Sequence, residues 1–188
     1  MTSFPEWMLT LPEQGLTAEE YDRMPEESCR NIEIVDGRIV VVPSATPAHN
    51  RLIWKLAHLL EQAAPAPWQV TVDVDLRISD VPLNNRRPDV LVFQGDPDSL
   101  PVRPPQVLLA VEVMSKGSVS TDRLDKPAEY AAAGIPHYWR VEREGAGLIV
   151  YTHVLNRTTS TYADAGAYSG LLKVEQPYPV EMDLNALL

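Results

Sequence analysis

The chain has 188 residues, 45% hydrophobic and 22% charged, with one cysteine and a formal net charge of −10. Such a length and composition fit one domain, residues 1–188, that buries its own core, and they exclude a disordered chain and a disulfide scaffold. No apolar run reaches the roughly 18 residues of a membrane span, and residues 1–8 carry neither a basic stretch nor an apolar core, so the sequence predicts a cytoplasmic protein with no membrane partner.

Thr17 followed by Glu20 is a capping-box pattern, opening a short helix that Pro25 ends. The lone Cys29 has no partner for a disulfide or a metal knuckle and reads as a small, partly buried side chain. Ile32, Ile34, Ile39 and Val41 alternate around Asp36-Gly37, the signature of a tight hairpin over residues 31–42. Residues 48–64 then place Leu52, Ile53, Leu56, Leu59, Leu60 and Ala63 at helical spacing.

From Trp68 onward Val70, Val72, Val74, Leu76 and Ile78 occupy alternate positions, so one strand is expected, with Thr71, Asp73, Asp75 and Arg77 on its polar face. Two short apolar runs, residues 89–93 and 107–114, read as strands of a buried sheet separated by a proline-rich loop. Residues 121–133 are helical in composition and are closed by Gly134. Further strands are expected over 137–142, 147–154 and 158–162, the last two antiparallel, with a final helical turn capped by Asp183.

Glu112 interrupts an otherwise apolar run, Val107 to Met114, and a charge in a buried strand is costly unless it is paired or holds a metal. Asp89 follows Pro88 at the start of the preceding strand, 112 − 89 = 23 residues earlier. If the two strands are neighbours, the carboxylates converge. Two carboxylates suit a hard cation such as Mg2+ or Mn2+, which assists phosphodiester hydrolysis by polarising a phosphoryl oxygen and generating hydroxide. A nearby lysine would position water or offset charge in the transition state.

The acidic net charge opposes nonspecific nucleic-acid binding, whose affinity comes mostly from basic side chains. A basic groove would need Arg86, Arg87, Arg103, Lys116, Arg123 and Lys126, which are close in sequence, to be close in space as well. The bland reading of Asp89 and Glu112 is a buried ion pair with Arg86, Arg87 or Lys126.

Several ordered motifs carry a family resemblance. Arg87-Pro88-Asp89-Val90-Leu91-Val92, then Ala110-Val111-Glu112-Val113-Met114-Ser115, then Asp122 with Lys126 and Tyr130, then Gly134-Ile135-Pro136-His137-Tyr138-Trp139, resemble the Uma-two restriction endonucleases of the PD-(D/E)XK nuclease superfamily. The resemblance extends upstream to Glu33 and to Ser44 with His49. It implies an α/β (α+β) fold, with a restriction-endonuclease-like central mixed sheet flanked by helices, an added amino-terminal hairpin and carboxy-terminal antiparallel strands. It further implies a metal-dependent endonuclease acting on nucleic acid, DNA first, and a homodimer.

Carried over residue by residue, the resemblance makes Asp89 and Glu112 ligands of Mg2+ or Mn2+ and Lys126 the catalytic lysine, with Glu33, His49, Asp122 and Tyr130 in support. The superfamily lysine normally stands two residues after the glutamate, where this chain has Met114. Positions 122, 126 and 130 lie one above another on a helix, so Lys126 can reach the site from there. Pro127 implies that the helix kinks or begins at that point, and Lys116 is the reserve lysine. His49 and Glu33 also have ordinary readings, as a helix-start side chain and the solvated face of a hairpin. On close repulsion between two carboxylates, Glu112→Gln is expected to abolish cleavage without loss of stability. The rival reading is a catalytically degenerate nuclease fold that serves as a binding or assembly module.

Overall fold

The structure is a computed structural model that describes residues 15–115 and 121–188. It divides into two compact units, the first taking residues up to Ser44 with Arg77–Arg86, the second Ala45–Leu76 with Arg87–Leu188. Each is built around its own sheet.

In the first unit Thr17 caps α1 (Ala18–Asp22) through the expected reciprocal bonds with Glu20, and Pro25 starts a second short helix, α2 (Glu26–Cys29). The hairpin of β1 (Ile32–Val35) and β2 (Arg38–Val41) turns at Asp36 and Gly37, whose φ angles of 49° and 73° are those of the mirror-image turn that matches strand twist. The hairpin does not stand alone. With β4 (Leu76–Asp80) and β5 (Leu83–Arg86) it forms a four-stranded sheet in the order β2-β1-β5-β4. Leu16, Tyr21, Cys29, Ile32, Ile34 and Leu83 fill its core, so Cys29 is more fully buried than the sequence suggests.

The single long strand expected after Trp68 is two strands in different sheets, β3 (Gln69–Val72) and β4. Asp73 breaks it by adopting a left-handed φ of 52°. The Arg87 guanidinium holds the break, donating to the Asp73 carbonyl and to the carboxylates of Asp73 and Asp75. Nor is Arg77 solvated: it is buried, and it donates to Asp22, Asp80 and Asn85. A period-two pattern reports which residues alternate but does not show where a chain changes sheet.

The second unit carries a six-stranded mixed sheet in the order β10-β9-β8-β7-β6-β3. Its further strands are β6 (Val90–Phe93), β7 (Val107–Val113), β8 (His137–Glu144), β9 (Gly147–Asn156) and β10 (Thr161–Ser169). Only β7 and β8 run parallel, as their connection through α4 (Lys126–Ala132) requires. Thr46 caps α3 (Pro47–Ala63), whose Leu52, Leu56 and Leu60 pack with Val90, Val92, Leu109, Val111, Val113 and Trp139 on one face of the sheet. Helix α4 lies on the other face, where Tyr130 meets Tyr138 with ring centroids 6.0 Å apart. A closing hairpin, β11 (Leu171–Val174) with β12 (Val180–Asp183), precedes the single turn capped by Asp183. No helix of the described residues is long and apolar enough to cross a membrane.

Candidate active site

Strand β7 is buried along nearly its whole length, so each of its side chains must face either α3 or α4. Leu109, Val111 and Val113 join the α3 core, which turns Ala110 and Glu112 to the α4 face. There Glu112 is 3% exposed. Its Oε2 accepts from the Lys126 ammonium at 2.8 Å and its Oε1 from the Tyr130 hydroxyl at 2.8 Å. Both donors project from one side of α4, four residues apart.

Pro127 permits this arrangement. Helix α4 begins at Lys126, after a wider π-helical turn over Thr121–Asp125, so the proline sits in the first helical turn, where its missing N–H has no partner to lose. Lys126 is thereby held at the helix start, directed at the sheet.

Strands β6 and β7 are antiparallel neighbours with Val90 opposite Val111 and Leu91 opposite Ala110. Continued by one residue, that register sets Asp89 opposite Glu112, and opposite residues of such a pair share a face. The Asp89 Oδ2 accepts from the Val113 amide at 2.6 Å, which anchors it one residue past Glu112. Its Oδ1 lies 3.4 Å from His49 Nε2, at the amino end of α3. The sequence marks His49 as a candidate, and the fold of this unit brings it to Asp89. The Val113 amide carries no sequence signal, because every non-proline residue has one.

Three expected residues and one unannounced amide therefore contact the two carboxylates: Lys126 and Tyr130 on Glu112, His49 and the Val113 amide on Asp89. Glu33 is not on the solvated face of the hairpin. It is a buried side chain of the first unit, ion-paired with Arg86 at 2.9 Å. Lys116 and the side chain of Asp122 lie outside the described residues. Met114, in the usual lysine position, follows the end of β7 and donates its amide to Val141.

A carboxylate oxygen offers two lone-pair directions, so an oxygen that accepts a hydrogen bond can also ligate a cation. Among the described residues no three or more His, Cys, Asp and Glu side chains are grouped to hold a metal. Asp89 and Glu112 fit a different donor set, the one or two carboxylates, completed by water and substrate oxygens, that commonly bind Mg2+.

Among the described residues, four of the basic residues clustered in sequence are paired with acids of this chain. Arg86 pairs with Glu33, Arg87 with Asp73 and Asp75, Arg123 with Glu142 and Lys126 with Glu112. Tyr138 and Trp139 are buried packing residues, as their size suggests.

Comparison with known proteins agrees with the fold. A solved structure described as a putative nuclease belonging to DUF820, from Anabaena variabilis ATCC 29413, superposes with a TM-score of 0.66 over 92% of this chain and 97% of that one, at 12% identity. At that identity the likeness establishes a shared fold. No curated protein matches the sequence. The family model described as Uma2, putative restriction endonuclease, matches residues 18–185, nearly the whole chain, and the protein belongs to that family.

Proposed function

We propose that the protein is a metal-dependent endonuclease that hydrolyses phosphodiester bonds in DNA. The observation that carries this reading is a charged side chain deep in an apolar strand, Glu112, contacted by a lysine and a tyrosine from one helix, with the Asp89 carboxylate on the amide of the next residue, Val113. A buried ion pair alone needs only Glu112 and Lys126. It gives no reason for a second carboxylate at the end of the neighbouring strand, with a histidine at its other oxygen.

A divalent cation held by Asp89 and Glu112, Mg2+ or Mn2+, would polarise a phosphoryl oxygen and lower the pKa of water. The remaining steps belong to the chain itself. The Val113 amide fixes the Asp89 carboxylate, and Tyr130 fixes that of Glu112, so neither must reorganise when substrate arrives. The Lys126 ammonium lies at the site as a positive charge able to meet the charge that develops on the phosphoryl group. His49, beside Asp89, orients that carboxylate or exchanges a proton with water there.

The test is nicking of supercoiled plasmid by pure protein in Mg2+ or Mn2+, with Asp89→Asn and Lys126→Met alongside. Loss of nicking in both variants supports the proposal. Absence of nicking together with absence of metal binding in calorimetry would sink it.

One observation favours the rival reading of a degenerate fold that binds without cutting. The arginines near the site in sequence are engaged by acids of this chain, and the net charge is −10. Tight metal-independent nucleic-acid binding without cleavage would mark that reading. A homodimer, which would bring two sites to two strands, is part of the proposal and is read by sedimentation.

A further inference from the structure

Arg140 is the parallel register partner of Glu112 across β7 and β8, so its side chain emerges on the α4 face one strand away, about 4.8 Å along the sheet. It lines a cavity of about 360 Å³ whose other walls include Arg123, His153, Ser160, Tyr162 and Asp164. All belong to the second unit.

The Arg140 side chain is 15% exposed and lies 4.6 Å above the Tyr151 ring. Its Nε donates to Glu142 at 2.6 Å. Among the described residues nothing accepts from its two terminal amino groups. A guanidinium has five N–H donors, and among the described residues the only fully buried side-chain polar atom without a partner is His153 Nε2, so the terminal amino groups of Arg140 are open to solvent and to a ligand. Arg123 reaches the same Glu142 from the opposite wall, donating from Nε at 3.2 Å and from one terminal amino group at 2.6 Å, which leaves its other amino group available. Ser160 and Thr161 add exposed hydroxyls at the rim.

The neighbouring titratable groups agree with two guanidiniums that share one carboxylate, Glu142. His153 is held below the usual imidazole range by burial and by Arg140, with Asp164 opposing. Burial raises the Glu142 carboxyl, but the bonds from Arg123 and Arg140 outweigh it and keep the group below the usual range. The acid within the cavity, Asp164, is 93% exposed and turned toward His153 Nδ1 at 3.0 Å.

We propose that this cavity binds a phosphate of the nucleic-acid strand, seated on the terminal amino groups of Arg140 and Arg123, adjacent to the phosphate at Asp89 and Glu112. Planar arginine forks suit phosphate oxygens, and an open cavity with an exposed rim admits a polymer where a closed pocket would not. The assignment to a nucleic-acid strand rests on the nuclease reading. The presence of an oxyanion site does not.

The experiment keeps the two apart by working without metal, in EDTA, where Asp89 and Glu112 repel anions. Inorganic phosphate is titrated into the whole protein and followed by phosphorus NMR, then displaced with a single-stranded oligonucleotide or with a mononucleotide. Saturable phosphate binding is expected, weakened about tenfold in Arg140→Gln and severalfold in Arg123→Gln, with the oligonucleotide displacing phosphate at lower concentration than the mononucleotide. Arg123 is half-exposed, so its variant reads the site even if Arg140→Gln fails to fold. Binding unchanged in both variants, or none at all, overturns the site. Displacement by the mononucleotide but not by the oligonucleotide overturns the strand as its occupant. If phosphate binds as expected but no plasmid is nicked in Mg2+, the nuclease reading fails while the oxyanion site stands.

Discussion

Replacing Glu112 by glutamine preserves shape and removes one charge, and the structure sets the sign of the result. The Lys126 and Glu112 side chains are 9% and 4% exposed and 2.8 Å apart. Breaking a buried ion pair by removing one partner costs about 3–5 kcal/mol. For a chain of this length that lowers the melting temperature by about 6–20 °C. This reverses the expectation from sequence, where repulsion between Asp89 and Glu112 makes the substitution harmless. The double variant Glu112→Leu with Lys126→Met removes both charges and leaves the Tyr130 hydroxyl without its acceptor, at about 1–3 kcal/mol. It should therefore melt above the Glu112→Gln single variant. The assay is thermal denaturation of the three proteins in EDTA at neutral pH. A Glu112→Gln protein as stable as the parent would refute the pairing and restore the repulsion argument.

Asp89→Asn keeps an oxygen for the Val113 amide, so it should change stability by only about 1 kcal/mol while abolishing Mg2+ binding in calorimetry. Unaltered metal binding would remove Asp89 from the site. The folded pKa of His153 is depressed, first by burial. Below about pH 6.5 the unfolded chain takes up a proton that the folded chain resists, so this contribution to stability is present above that pH and is lost as the pH falls through the folded value. Urea unfolding at pH 7.5 and 5.5 should show a smaller acid loss for His153→Phe than for the parent, and equal losses would count against it. Gly134 closes α4 at a φ of 83° with open space around it, so Gly134→Ala should cost about 1–2 kcal/mol through backbone strain alone, and a neutral result in the same unfolding assay would contradict that conformation.

What was legible in the sequence follows from what each signal measures. The helical spacing of Leu52, Leu56 and Leu60 and the Asp36-Gly37 turn are local patterns, and both elements appear where they should. Strand β5, with the sequence Leu-Asn-Asn-Arg, has no apolar alternation to announce it; Asn85 and Arg86 are buried through polar contacts to Tyr21 and Glu33 made across the unit. The break at Asp73 was hidden for a related reason, since Arg87 supports it from 14 residues away. Sequence shows a polar residue in a strand but not the distant partner that makes it affordable there.

The same limit applies to the site, and there it changes what the charge balance means. Glu112 stood out because it contradicts its apolar neighbours, and Asp89 because a proline and a family motif mark it. Lys126 and Tyr130 were reachable through helical spacing once that motif was in hand. Arg140 was not, because its relation to Glu112 is one of strand register, and register across a parallel pair depends on the length and path of the intervening α4 connection. A net charge of −10 argues against nucleic-acid binding only if the cations are averaged over the whole surface. Arg86, Arg87 and Arg123 do face acids of the same chain, so the charge of each is offset locally. Arg140 differs, since Glu142 takes only its Nε and its terminal groups line a cavity one strand from the acidic pair. Affinity for a polyanion then depends on where an incompletely neutralised guanidinium lies, and the total charge says little about that. The salt dependence of oligonucleotide binding in EDTA reads the difference, because one or two phosphate contacts give a shallow slope of about −1 to −2, whereas a broad basic groove gives a much steeper one.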